Sequence, residues 1–379
     1  MQPTNRYLSN LTPLRGIAAL WVVVFHFSEI VVKFVSTDRS LLLTKGYLMV
    51  DLFFIMSGFI IYHVYQQSFL TGISGNNFRT FIVARFARVY PLHFFTLLLF
   101  VVILVPLAGW DPMFSNPRAI PTNLLLIHSF GIHKGFNWNV PSWSISAEWW
   151  AYMLFPFMAV FIYRKKGMAI GLLTIFVVLS YLSIMFWIPR VNMFDPTAPH
   201  RQNLDVTFDY GFLRGLAGFI SGMILYKFYE DGVLAKAFQK DLTAIVVMAA
   251  CIMSMHFGWN DGFNIILFVA VVFAFAHNQG RLHMLCNGRV PQYLGKISYS
   301  IYLMQLFPLI PLWGGLKLPG LVYKEDHTVT TGFWTGAGYC LIYMLIVIGL
   351  ASLTYYTIEK PCRKFFNRKW GKEKMPVYA

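Results

Sequence analysis

Runs of about twenty apolar residues, separated by short polar breaks, recur along this chain, and a run of that length crosses the hydrocarbon core of a bilayer as a helix. They fall near residues 13–35, 47–66, 89–109, 144–163, 168–188, 210–229, 242–256, 263–278, 298–314 and 334–357. The runs at 242–256 and 263–278 are short for a full crossing and read either as tilted spans or as one re-entrant pair. The pattern predicts an all-α, polytopic transmembrane helix bundle of about ten spans, a single integral membrane domain over residues 1–379. Composition points the same way. The chain is 57% hydrophobic and 12% charged, with a mean hydropathy of +0.57, whereas soluble proteins are roughly 45–50% apolar.

Charge sets the expected orientation. If both termini lie in the cytoplasm, most of the 31 lysines and arginines fall on inner segments, among them Arg15, Arg79, Arg85, Arg88, Arg164, Lys227, Arg289 and the tail from Lys360 to Lys374. That bias supports both termini in the cytoplasm, and a multi-pass protein of the cytoplasmic (inner) membrane is expected. The formal charge of +15 is then topology and contact with anionic membrane lipids, not nucleic-acid binding. Four cysteines without paired or metal-like spacing predict neither a disulfide nor a metal site. The first apolar run outlasts a signal-peptide core and is expected to be retained. The longest outer connection, Trp110 to Pro141, is punctuated by Pro112, Pro117 and Pro121, and is placed to cap an outward-facing cavity.

Within the spans, ionisable residues at membrane depth mark function by default. His26 follows Arg15 by eleven residues, which puts the two on one helix face about 16 Å apart, Arg15 at the inner mouth and His26 past mid-membrane. Asp51, at the start of the second span, and Glu148, in the first turn of the fourth, are expected at a depth close to that of His26. Either carboxylate is a natural partner for an imidazole that cycles through its charged form. Each residue also has a structural reading: His26 bonded to a neighbouring helix, Asp51 at the interface, Glu148 favouring a helix N-terminus. Arg85 and Arg88, at i and i+3, share a face where they could clamp phosphate, or simply obey the charge bias. Ser142 and Trp143 at the head of the fourth span, and His128 in the Pro-rich connection, are candidate substrate contacts.

These residues sit in motifs that resemble the membrane acyltransferase-3 family, bacterial acetyltransferases of surface glycans. The stretches are Arg15 to His26, Gly46-Tyr47-Leu48-Met49-Val50-Asp51 running into Ser57-Gly58-Phe59, and Arg85-Phe86-Ala87-Arg88-Val89-Tyr90-Pro91. Ser142-Trp143-Ser144-Ile145-Ser146-Ala147-Glu148, Ser298-Tyr299-Ser300-Ile301-Tyr302-Leu303 and Glu359-Lys360-Pro361 complete the set. The resemblance implies a ten-helix bundle, acetyl-CoA as donor, a carbohydrate or glycolipid acceptor, His26 as the catalytic residue, and Arg15, Arg85 and Arg88 at the donor site. It departs at Gln305, where the family often has histidine. Some relatives carry an extra esterase-like domain outside the membrane, which is not expected here. The implied chemistry is acyl transfer to a hydroxyl, with His26 as general base or acyl carrier. A membrane transporter or glycolipid flippase is the competing reading, since buried charge also marks permeation routes.

Overall fold

The computed structural model describes residues 8–108, 115–188, 202–313, 317–323 and 329–370. The first three long helices are α1 (Leu11–Ile30), α2 (Met49–Phe69) and α3 (Gly75–Ala108). A short α4 (Ile120–Leu124) lies in the connection to α5 (Trp143–Arg164), and α6 (Lys166–Leu182) follows at once, extended by a π-turn at Ser183–Trp187. After α7 (Gly211–Glu230) and the single turn α8 (Ala235–Phe238) come the shorter apolar α9 (Asp241–His256) and α10 (Asp261–His277). The last third comprises α11 (Arg281–Cys286), α12 (Arg289–Lys296), α13 (Ser298–Met304), α14 (Ile310–Trp313), α15 (Phe333–Thr354) and α16 (Lys360–Trp370). A two-residue antiparallel pairing, Val322 opposite Thr330, precedes α15.

Six of the described helical stretches are long and apolar enough to cross a membrane, and they contain α1, α2, α3, α5, α6 and α15. α9 and α10 pack on each other and are shorter, as their sequence lengths foretold. The run expected as one span at 298–314 is instead broken. α13 ends at Met304, and the chain restarts through Phe307–Leu309 into α14. Pro308 and Pro311 sit at that restart, and a proline in a helix interior removes a hydrogen bond and clashes with the preceding turn.

Lipid-facing sides are apolar. Leu172, Ile175 and Val178 on α6 and Leu341, Ile342 and Leu345 on α15 are all exposed, which is the surface that hydrocarbon requires. The interior is closed by small residues where helix backbones meet. A Cβ added at Gly58 of α2 would lie 1.8 Å from the carbonyl oxygen of Phe219 on α7, and one at Gly222 of α7 would lie 2.0 Å from the carbonyl oxygen of Ile55. Gly295 meets Thr12 in the same way at 1.9 Å, locking α12 to α1. Close approach through glycine is the common device for helix association in lipid, where the hydrophobic effect between helices is absent. These crossings bring α1, α2, α3, α5 and α13 around one internal cavity.

Candidate functional site

The cavity has a volume of about 100 Å³, and Arg15, Arg85 and Arg88 all line it, with Glu148, Ser57, Ser144, Tyr152, Tyr299 and Tyr302. Arg88 is ion-paired with Glu359, whose other oxygen accepts from Ser300 Oγ at 2.7 Å. Glu359 occupies a π-turn between α15 and α16, the kind of local widening that often marks a working position. The Arg88 guanidinium also lies over the Tyr299 ring, 5.5 Å from its centroid. Arg85 donates to Tyr65 Oη at 2.8 Å, while its Nε is buried without a partner. Arg15 makes no hydrogen bond or ion pair among the described residues.

Glu148 accepts from Ser57 Oγ at 2.6 Å and from Tyr152 Oη at 2.5 Å. Three guanidinium groups therefore face two carboxylates, one of them already committed to Arg88. A partly buried site with uncompensated guanidinium donors is suited to phosphate, which arginine recognises through paired N–H bonds.

The cavity runs along α2 from Val50 and Phe53 to Ile60 and Ile61, about 16 Å at the rise of a helix. His26 is level with its upper end. Its neighbour Phe25 packs on Gly46 and Tyr47, just ahead of Val50. The His26 Nδ1 faces two acceptors, the Val22 carbonyl at 3.0 Å and Gln305 Oε1 at 3.2 Å. The Gln305 amide is held in that sense because its Nε2 donates to the Tyr302 carbonyl at 2.8 Å; separately, the Gln305 backbone carbonyl accepts from Tyr343 Oη at 2.5 Å. With acceptors on both sides, a neutral His26 carries its proton on Nδ1, so the Nε2 lone pair is left free. Tyr302 links this site to the cavity: its carbonyl holds Gln305, its hydroxyl accepts from Ser144 Oγ at 2.9 Å, and its ring meets Phe53 edge-on.

The expected convergence of His26, Asp51 and Glu148 is not what the fold makes. Asp51 is fully buried and belongs to Arg214, whose Nη2 and Nε approach its oxygens at 2.6 and 3.0 Å. Arg214 also donates to the carbonyls of Val206 and Tyr47. Neither carboxylate bonds His26; Gln305 takes that place. Glu148 is correspondingly in the arginine cavity, opposite Ser57, rather than beside the imidazole.

The three proposed substrate contacts are buried as well. His128 Nε2 is 3.1 Å from Ser142 Oγ, and its ring is stacked in parallel on His93 with centroids 5.8 Å apart. Trp143 lies beneath the Arg214 guanidinium, 5.3 Å from its centre, and its edge meets Phe54, so its evident work is to pack that cation. No group of three or more metal-binding side chains occurs among the described residues.

Sequence reasoning missed the roles of Gln305, Glu359 and Arg214. An arginine inside the apolar run 210–229 was a visible signal; the neutral Gln305 gave none beyond its departure from the expected histidine.

Fold and site together define a helical membrane protein that holds unpaired guanidinium groups inside its bundle. The chain belongs to a family of acyltransferases: the profile described as an acyltransferase domain matches residues 9–356. Acyltransferase MdmB of Streptomyces mycarofaciens is 34% identical over 164 residues, 41% of this chain and 40% of that protein. YrhL of Bacillus subtilis (strain 168), assigned by name as a peptidoglycan O-acetyltransferase, is 25% identical over 383 residues, 95% of this chain and 55% of that protein. The chain thus spans about half the length of the curated relatives it matches. No solved structure gives a significant match.

Proposed function

We propose that the protein is an integral-membrane O-acyltransferase that moves an acetyl group from cytoplasmic acetyl-CoA to a hydroxyl of an extracytoplasmic sugar or glycolipid. The reading includes a bundle of ten crossings with both termini in the cytoplasm of a bacterial inner membrane. The observation that carries it is the cavity that gathers Arg15, Arg85 and Arg88 at the foot of the helix bearing His26. The donor's phosphates would rest on these arginines. Its thioester arm would follow α2 upward, a distance of about 16 Å that matches the spacing of Arg15 and His26 on α1.

At the upper end, His26 Nε2 would take the proton of the acceptor hydroxyl as its oxygen attacks the thioester carbonyl. The carbon–sulfur bond then breaks, the ester forms, and the proton passes from His26 to the departing thiolate. General-base work of this kind contributes typically 10²–10⁴-fold. Gln305 supports the role, since it fixes the ring with Nδ1 protonated and Nε2 open. Attack by Nε2 itself, giving an acyl-histidine, uses the same lone pair.

The test is His26→Ala in purified, folded protein, followed by release of coenzyme A and by mass spectrometry of the acetylated acceptor. The variant should keep its place in the membrane and lose transfer. Normal product from the folded variant removes His26 from the reaction, and vectorial transport without acyl transfer in proteoliposomes would replace this reading with that of a carrier.

A further inference from the structure

The connection between α3 and α5 forms a second, open cavity of about 540 Å³, separate from the arginine cavity and lined by Asn116, Arg118, Ile132, His133, Lys134, Gly135 and Asn137. Arg118 and Lys134 are exposed, and neither side chain makes an ion pair or hydrogen bond among the described residues. Among the described residues no acidic side chain lines the cavity. His133 hydrogen-bonds Thr122 Oγ1 at 2.7 Å, and burial holds its imidazole below its ordinary pKa, so Arg118 and Lys134 supply the fixed charge. Two uncompensated cations on one concave surface attract an anion.

The remaining groups are those that recognise sugars. Asn137 donates its amide to the Gly135 carbonyl at 2.9 Å, while its Oδ1 is buried with no partner, an acceptor waiting for a hydroxyl donor. Ile132 is 51% exposed and offers an apolar surface to the C–H face of a pyranose ring.

From this cavity a column of polar contacts descends toward the reaction site. His133 meets Thr122, the adjacent Asn123 carbonyl accepts from His93 Nε2 at 2.9 Å, His93 stacks on His128, and His128 reaches Ser142. Beneath them Ser144 bonds Tyr302, whose carbonyl holds Gln305 against His26. The side chains of His93, Asn123 and His128 each keep a buried polar atom without a partner. Each of these atoms can take a hydrogen bond from water or from a ligand hydroxyl.

We propose that the cavity at Arg118 and Lys134 is the docking site for the acceptor, and that it selects sugars bearing a carboxylate or phosphate. The assignment rests on the reading that the acceptor is a sugar entering at this face. It is tested by direct binding to detergent-purified full-length protein without donor, so the outcome does not depend on acyl transfer. The probes are trigalacturonate, its fully methyl-esterified form, glucose 1-phosphate, glucose and inorganic phosphate. The charged sugars should bind more tightly than their neutral counterparts and than inorganic phosphate, and the preference should shrink as salt rises. Whether trigalacturonate or glucose 1-phosphate is favoured tells which anion is read. Arg118→Ala and Lys134→Ala, both at exposed positions, should each weaken charged-sugar binding by roughly fivefold, with Lys134→Glu weakening it further.

Equal binding of trigalacturonate and its ester, inorganic phosphate binding as well as the sugars, or full affinity in the double alanine variant would each overturn the assignment. Tight charged-sugar binding by protein that transfers no acetyl group would leave the site standing and remove the proposed function instead.

Discussion

Replacing Asp51 with asparagine separates two roles that this carboxylate could have. The side chain is fully buried, and its oxygens accept from Arg214 Nη2 at 2.6 Å and Nε at 3.0 and 3.2 Å. Asparagine keeps one acceptor but removes the charge, so the Arg214 guanidinium is left as an unneutralised cation inside the bundle. Breaking a buried pair from one side typically costs ~3–5 kcal/mol. An unfolding entropy of ~2.1 cal/mol/K per residue gives roughly 0.8 kcal/mol/K for 379 residues. The apparent melting temperature should therefore fall by about 4–6 °C. Because Asp51 does not touch His26, turnover measured well below the melting point should stay close to that of the wild type.

Thermal unfolding in detergent, followed by intrinsic fluorescence, reads the first quantity, and initial rates of coenzyme A release read the second. A second variant closes the cycle. Asp51→Leu combined with Arg214→Met should be less destabilised than the two single changes added together, by a coupling of about 0.5–3 kcal/mol. The recovery is partial, because the Val206 and Tyr47 carbonyls lose the donors Arg214 gave them. An unchanged melting temperature with turnover reduced by roughly 10²–10⁴-fold, as when an orienting carboxylate is lost from a catalytic histidine, would refute the structural assignment and restore Asp51 to the reaction.

Two further outcomes follow from single positions. Gln305→Leu removes the Oε1 acceptor of His26 Nδ1–H but leaves the Val22 carbonyl. At ~0.5–1.5 kcal/mol for one neutral hydrogen bond, kcat should drop roughly two- to twelvefold. The donor KM should hold, since Gln305 does not line the arginine cavity; unchanged kcat in folded protein would sink the orienting role. Gly58→Ala places a methyl 1.8 Å from the Phe219 carbonyl oxygen and should cost about 1–3 kcal/mol or more, whereas Gly338→Ala, with nothing within 4 Å, should be neutral or stabilising. Melting temperatures of the pair decide it, and equal values would show that the α2–α7 crossing is not set by Gly58.

The grouping of Arg15, Arg85 and Arg88 was legible in the chain because charge in an apolar sequence is conspicuous and because spacing places it on helix faces. Depth was less legible. Counting residues inward from an assumed membrane edge put Glu148 at a depth close to that of His26. That estimate presumes a helix that starts at the surface, and α5 does not: it begins beneath a connection whose Leu126 carbonyl accepts from Ser146 Oγ at 2.6 Å and from Trp150 Nε1 at 2.9 Å. With the connection folded over its first turns, Glu148 comes opposite Ser57, eight residues into α2.

A neutral partner for His26 was harder still to see, because an amide carries no charge to stand out. Its position is fixed by the break at Pro308 and Pro311, which stops α13 where Gln305 can turn toward α1. The substitution of amide for carboxylate has a chemical consequence. Gln305 fixes the tautomer of His26 without adding a negative charge to stabilise an imidazolium. In the proposed reaction the imidazole would therefore hold the acceptor's proton only transiently, during attack on the thioester, before passing it to the leaving thiolate.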